Sequence, residues 1–406
     1  MTTPASPAAT TAQPQTISPW LTLLLAVACG LIAANIYYAQ PLAGPISAAL
    51  GLSAPATGLI VTLTQTGYGL GLLLIVPLGD LIENRKLTLA LLLVAALSLL
   101  GAGLSTHPLP FLLSALGIGL GSVAVQVLVP YAAHMAPAAV RGRVVGNVMS
   151  GLMLGIMLAR PVSSLLTQLA SWPLVFFASA AGMAVLAGVL GWLLPQRAPT
   201  GKLRYGELLS SMAGLVRTTP VLRRRALYHA ALFGAFSLFW TTVPLLLAGP
   251  AFGLSQGGIA LFALAGVAGA IAAPIAGRVA DRGWSRPATA AAMLAVAAGF
   301  LLSHLGTRDT LGSPGSLGWL VLAAIVLDFG VAANLTLGQR AIFALSAQVR
   351  ARLNGLYMST FFLGGALGSA LGAWAYARGG WTWASGFGIA LPLVALAYWA
   401  TQEHPE

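Results

Sequence analysis

Of 406 residues, 58% are hydrophobic and 7% charged, and the mean hydropathy is +0.88. A soluble globular domain carries roughly 25% charged residues, so a water-soluble fold, a disordered chain, a coiled coil and a disulfide-stapled secreted module are all excluded. The solvent is mostly lipid, where one span takes about 20 apolar residues. At ~34 residues per span and connector, the length allows roughly twelve helices. The single cysteine, Cys29, leaves no disulfide or paired-thiol chemistry. A net charge of +12 would suggest nucleic acid in a soluble protein. In a membrane protein the placement of Lys and Arg matters more than their sum, and no nucleic-acid partner is expected.

Residues 1–19 hold no Lys or Arg and are rich in Ala, Thr and Pro, which predicts a disordered tail rather than a secretory signal. Apolar runs follow at about Trp20–Leu42, Gly58–Leu78, Leu87–Ser105, Pro110–Tyr131, Val144–Gln168 and Leu174–Pro195. After a basic stretch, Arg197 to Arg225, they resume at about Ala226–Ala248, Gly258–Gly277, Ala288–Gly306, Leu317–Leu337, Asn354–Tyr376 and Trp383–Ala400. The expected organisation is an all-α polytopic protein with twelve transmembrane helices. Its parts are a tail at 1–19, a six-helix bundle at 20–195, a linker at 196–225, a second bundle at 226–401 and a tail at 402–406. The linker is read as a solvated segment, with Arg223-Arg224-Arg225 able to touch anionic lipid. Seventeen of the twenty basic residues fall on connectors that share the tail's side, and Arg308 and Arg378 on the other. By the positive-inside rule both termini are cytoplasmic.

The halves repeat at an offset near 200 residues. Leu42-Ala43-Gly44-Pro45 before Gly51-Leu52-Ser53 recurs as Leu247-Ala248-Gly249-Pro250 before Gly253-Leu254-Ser255. Arg141-Gly142-Arg143, Met149-Ser150 and Gly155 recur as Arg350-Ala351-Arg352, Met358-Ser359 and Gly364. Matches in register predict a duplication in parallel orientation, with a site between two bundles.

A third repeat is the hairpin after the second run, Gly79-Asp80-Leu81-Ile82-Glu83-Asn84-Arg85-Lys86, copied as Gly277-Arg278-Val279-Ala280-Asp281-Arg282-Gly283. An acid four residues past a glycine can cap a helix end and meet an Arg across the seam, giving a contact that one conformation holds and another breaks. The candidate gating residues are therefore Gly79, Asp80, Glu83 and Arg85, with Gly277, Asp281 and Arg282. The pattern resembles the signature loop of the major facilitator superfamily, Gly-x-x-x-Asp-Arg-x-Gly, between helices 2–3 and 8–9. The second copy matches through Arg282, with Gly283 one residue early. The first has Glu83 for Asp and Asn84 for Arg, and lacks the second glycine.

Arg160, in Leu158-Ala159-Arg160-Pro161, is read as the sole basic residue within a span. Its burial costs at least ~2.5 kcal/mol, so it faces a cavity or a partner, snorkels to the interface, or serves a structural pair. It falls where drug/proton antiporters of the superfamily carry a Gly-Pro motif in helix 5; here Ala159-Arg160-Pro161 stands instead. With Asn35-Ile36-Tyr37-Tyr38-Ala39-Gln40-Pro41 closing helix 1, the chain resembles a bacterial exporter branch near the arabinose-, purine-nucleoside- and bicyclomycin-type efflux proteins. The resemblance covers the chain after the tail. It implies a bacterial inner membrane, a monomer, alternating access and a cavity lined by helices 1, 4, 7 and 10.

Asp328 is the one carboxylate deep in a span. Desolvation disfavours the charged form of a buried carboxyl, which suits Asp328 to proton coupling; the other reading is an ionised clamp on Arg160 or Arg340. Further cavity candidates are Asn35, Tyr37, Tyr38, Gln65, Tyr68, Gln126, Trp240 and Asn334, each of which could instead be interhelical glue. Glycines spaced by four, Gly67 and Gly71 and then Gly364, Gly368 and Gly372, favour close helix packing. There is no phosphate-binding Gly-x-x-x-x-Gly-Lys-Ser/Thr loop, no metal-ligand spacing and no nucleophile–base pattern, so no cofactor, metal or catalysis is expected. The expected function is secondary transport, as proton-coupled efflux of a small organic compound. The alternatives are a uniporter or importer of an organic anion anchored by Arg160, and a non-transporting receptor or assembly factor on this scaffold.

Overall fold

The computed structural model describes residues 18–137, 140–196, 204–307, 314–346 and 349–401. The expected tails at 1–17 and 402–406, and Arg197, Lys202 and Arg308, lie outside the described residues. The described chain is helical: α1 (Pro19–Ala34), α2 (Ala43–Leu50), α3 (Leu59–Leu74), α4 (Asn84–Leu104), α5 (Pro108–Ser122), α6 (Ala124–Met135), α7 (Arg141–Leu169) and α8 (Trp172–Leu193). Then follow α9 (Tyr205–Thr218), α10 (Pro220–Ala248), α11 (Gln256–Ala263), α12 (Ala272–Asp281), α13 (Ser285–Gly306), α14 (Pro314–Leu345) and α15 (Arg350–Ala400). Ten helical stretches among the described residues are long and apolar enough to cross a membrane, and α1 is a shorter apolar helix. In lipid only such internally bonded backbone is stable.

Several hydropathy boundaries shift for local reasons. The run Trp20–Leu42 is not one helix. It leaves α-geometry after Ala34, and Asn35, Ile36, Tyr37 and Gln40 donate back three residues to Ile32, Ala33, Ala34 and Tyr37. Pro41, which disfavours helix at the residue before it, ends the run. The run Gly258–Gly277 is split by a 3₁₀ stretch, Leu264–Ile271, between α11 and α12. The last two runs form α15, which breaks at Gly379–Gly380, where Gly380 takes φ +59°, a backbone conformation that glycine adopts without a Cβ clash. The stretch expected to be a solvated linker contains α9, whose Leu208 and Met212 are buried, and ends inside α10, where Arg225 is buried.

The helices meet through small residues. A Cβ on Gly30 would stand 2.6 Å from the Gly151 carbonyl oxygen of α7, and one on Gly155 would collide with Gly30 in turn. Gly234 of α10 and Gly368 of α15 interlock in the same way. Close backbone approach of this kind replaces the hydrophobic drive that lipid cannot supply. Most helix contacts stay within the first eight helices or within the last six; α11 crosses to lie on α7, and α3 lies along the first part of α15. That contact carries hydrogen bonds from Thr62 Oγ1 to the Ala366 carbonyl (3.1 Å), Ser359 Oγ to Gly69 (2.7 Å) and Ser369 Oγ to Gly58 (3.1 Å). Large apolar side chains such as Leu169, Val185, Trp192 and Leu367 point outward, as lipid contact requires.

Gly155→Leu is expected to destabilise the purified protein by about 1–3 kcal/mol or more through overpacking. Gly142→Ala, whose Cβ would meet nothing, is expected to leave the melting temperature unchanged. Thermal unfolding in detergent checks both.

Candidate functional site

Arg160 lies two-thirds along α7 beside Pro161, whose ring interrupts the backbone bonding of that turn. Its side chain is buried, 4% exposed. Nε donates to Gln40 Oε1 at 2.8 Å. The guanidinium carbon lies 4.3 Å from the ring centre of Trp240, 5.0 Å from Phe236 and 5.3 Å from Tyr37. Aromatic faces attract a cation, more strongly where water is excluded. The break of helix at Ala34 is what delivers Tyr37 and Gln40 to this point.

Asp328 enters from α14 and is also buried, 5% exposed. Trp240 Nε1 donates to its Oδ1 at 2.9 Å. Between the two charges runs the 3₁₀ stretch Leu264–Ile271. In that geometry residues three apart eclipse, so Gly266 and Gly269 present one bare edge. A Cβ on Gly266 would lie 2.8 Å from Asp328 Oδ2, 3.2 Å from Trp240 and 3.3 Å from Arg160 Nη1; one on Gly269 would lie 3.3 Å from Asp328 Cβ. The charges thus share one small space, kept open by the missing side chain. Arg160 Nη2 and Gln40 Nε2 are buried without a hydrogen-bond partner.

Of the expected cavity residues, Arg160, Tyr37 and Trp240 converge with Asp328. The others do not. Asn35 Nδ2 donates to Met183 Sδ (3.4 Å), and Asn35 Oδ1 accepts from Ser179, both on α8. Tyr38 is half-buried nearby. Gln65 Nε2 donates to Ser237 Oγ of α10 at 2.9 Å. Gln126 Nε2 donates to Tyr68 Oη at 3.0 Å, and the Tyr68 ring packs 4.3 Å from Phe362. Asn334 Nδ2 donates to His229 Nδ1 at 2.8 Å in a second buried cluster with Tyr357 and Phe361. Sequence reasoning missed Gln40, Phe236, Gly266 and Gly269. A Gln next to the helix-ending Pro41, and glycines at a spacing of three rather than four, were the available signals.

The hydrogen bonds of Arg340, Glu83 and Arg85 stay within their own halves. Arg340 Nη2 of α14 pairs with Asp281 Oδ1 at 2.5 Å, both groups exposed, and its Nη1 donates to the Gly277 carbonyl at 3.4 Å. The expected meeting across the seam is therefore absent at Asp281, and Arg340 is engaged there rather than with Asp328. Glu83 caps α4, accepting from the backbone of Arg85 (2.8 Å) and Lys86 (3.0 Å). The Arg85 side chain donates to the carbonyls of Gly191 and Leu194 at the end of α8. Gly79 and Asp80 line a cavity of about 190 Å³ with Gln126, His134 and Arg352, floored by Leu208 and Met212 of α9. Arg282 ends α12.

The sequence matches the model of the Major Facilitator Superfamily over residues 23–312 and 267–406. The chain belongs to the major facilitator superfamily. It is 40% identical over 383 residues to the uncharacterized transporter YgaY of Escherichia coli O157:H7, covering 94% of this chain and 95% of that one. The fold is similar to that of the nucleoside transporter NupG (D323A mutant), with TM-score 0.75, 15% identity, 93% of this chain and 99% of that chain. It is also similar to a bacterial homologue of the human lysosomal transporter Spinster in an inward-facing conformation, with TM-score 0.73, 15% identity, 94% of this chain and 95% of that chain. The protein is thus a multi-pass membrane transporter rather than an enzyme, with an all-α superfamily fold.

Trp240→Phe is expected to cost about 1.5–3 kcal/mol of stability, because it removes a hydrogen bond to a buried charged group. Arg340→Gln, at an exposed pair, is expected to cost no more than about 1 kcal/mol. Denaturation of the two variants side by side checks the contrast.

Proposed function

We propose that this superfamily member is a proton-coupled secondary active transporter of a small organic compound, working by alternating access, with Asp328 as the proton carrier and Arg160 as its counter-charge. The observation that supports it is the Arg160–Trp240–Asp328 constellation. A buried carboxyl whose ionisation depends on one nearby guanidinium can bind a proton in one state and lose it in another. Arg160 stands in the 20–195 half and Asp328 in the 226–401 half, so relative movement of two bundles would change their separation. Glycine-lined crossings suit such movement. The hairpins at Gly79–Arg85 and Gly277–Arg282 would hold helix ends within each half while the halves rock. One chain supplies both charges, which makes a monomer a sufficient working unit. By the positive-inside rule, the basic connectors support a reading with both termini on the cytoplasmic side of a bacterial inner membrane.

Efflux in exchange for protons follows where the substrate displaces the proton from Asp328, as a cation or a strong donor would. The second reading, an organic anion anchored by Arg160, is favoured by the unpartnered donors on Arg160 and Gln40.

In proteoliposomes, Asp328→Asn is expected to abolish proton-driven substrate accumulation while substrate binding to the purified variant persists. Uphill transport by Asp328→Asn on an imposed proton gradient would remove Asp328 from the coupling role.

A further inference from the structure

We propose that the group recognised at this site is an oxyanion on an apolar organic body, loaded together with the proton on Asp328; this rests on the reading of the Arg160–Asp328 space as the transport site. An arginine offers five N–H donors in a planar fork and accepts nothing. In Arg160, Nε is taken by Gln40 and Nη1 lies at the Gly266 edge that Asp328 Oδ2 also borders, while Nη2 has no partner. Nε2 of Gln40 has none either, and Gln40 is fully buried. Buried donors without acceptors are rare. Here two sit on adjacent, mutually bonded groups, and both ask for an acceptor. Carboxylate geometry suits a guanidinium edge with a neighbouring amide N–H. A cationic substrate would find only Asp328, already engaged by Trp240, and would lie against the positive charge of Arg160.

The surroundings describe the rest of the ligand. The rings of Trp240, Phe236 and Tyr37 stand round the guanidinium and give the site an apolar, aromatic surround that suits an apolar organic body. Gly266 and Gly269 keep the neighbouring edge bare.

The charges then dictate the coupling. Arg160 Nη1 and Asp328 Oδ2 flank the same bare edge at Gly266, 3.3 and 2.8 Å from where its Cβ would stand. The 3₁₀ stretch brings glycines to Asp328, α10 brings the Trp240 N–H, and α13 meets the flanking Leu327 and Gly330 with Gly299, Ala292, Ala295 and Val296. Tyr37 faces Arg160. An anion that takes up the free edge of Arg160 adds negative charge beside Asp328 and weakens the hold of Arg160 on it, so Asp328 keeps its proton more firmly. Linkage makes the effect reciprocal: a protonated Asp328 strengthens anion binding by the same factor. Anion and proton load together and cross in the same direction, so co-transport replaces exchange.

The test uses the purified full-length protein with benzoate, benzamide and benzylammonium, and with the matching two-ring series from 2-naphthoate, read by tryptophan fluorescence and thermal shift. The carboxylate of at least one series is expected to bind ten or more times tighter than its amide and amine, and more tightly as the pH falls from about 8 to about 6. Gln40→Leu, a milder change whose folding is checked by size exclusion, is expected to weaken the carboxylate fivefold or more. Arg160→Gln is expected to erase the preference. Asp328→Asn is expected to keep the carboxylate preference and lose its pH dependence. Preference for amide or amine, equal binding of all three, or binding of none overturns the oxyanion assignment, and the proton-coupled reading survives if Asp328→Asn still abolishes uphill transport. Carboxylate binding that ignores pH in the wild type overturns the joint loading instead.

Discussion

Two opposite charges withdrawn from water into a nearly chargeless chain are the constraint on which the site depends. Each alone is expensive: an ionised group in a low-dielectric interior costs several kcal/mol, and its partner repays that only with good geometry and further hydrogen bonds. The helices supply those terms. Trp240 donates to Asp328, Gln40 accepts from Arg160, and three aromatic faces surround the guanidinium. The irregular segments, the turns after Ala34 and the 3₁₀ stretch at Leu264–Ile271, occur where they serve this pair. Non-helical backbone at membrane depth is tolerated where it is buried in protein.

The rest of the fold is built for close contact between elements. Glycine crossings hold α1 on α7 and α10 on α15 with backbones nearly touching, while α3 meets α15 through hydroxyl-to-carbonyl bonds. Within each half the hairpins tie helix ends together, Arg340 to Asp281 and Arg85 to the end of α8. On the proposed mechanism, such internally tied halves move as bodies, and the site between them responds as a unit rather than by local unfolding.

Charge scarcity made the class and the two central residues legible in the sequence. A lone Arg and a lone Asp within apolar runs have few explanations, and duplicated motifs carried the superfamily resemblance. The partners were not legible. Asn35, Gln65, Tyr68, Gln126 and Asn334 are polar residues in apolar runs just as Arg160 is. Hydropathy cannot tell an amide that bonds the next helix from one that faces a site, because that depends on helix rotation. Gln40 was hidden because α1 stops at Ala34 and leaves it in the turns beyond, and Arg225 because a basic run that opens on the surface ends inside α10. The meeting of Asp281 with Arg340, within one half instead of across the seam, depends on tertiary contact between residues far apart in the chain.

The central claim is that Arg160 and Asp328 compensate one another. A double-mutant cycle on unfolding free energy measures this directly, using Arg160→Met, Asp328→Asn and the combined variant. Removing one partner of a buried pair costs about 3–5 kcal/mol, whereas removing both is close to neutral. The combined variant is therefore expected to be more stable than at least one of the single variants, with a coupling energy of about 2 kcal/mol or more. Additive effects of the two substitutions would contradict the account.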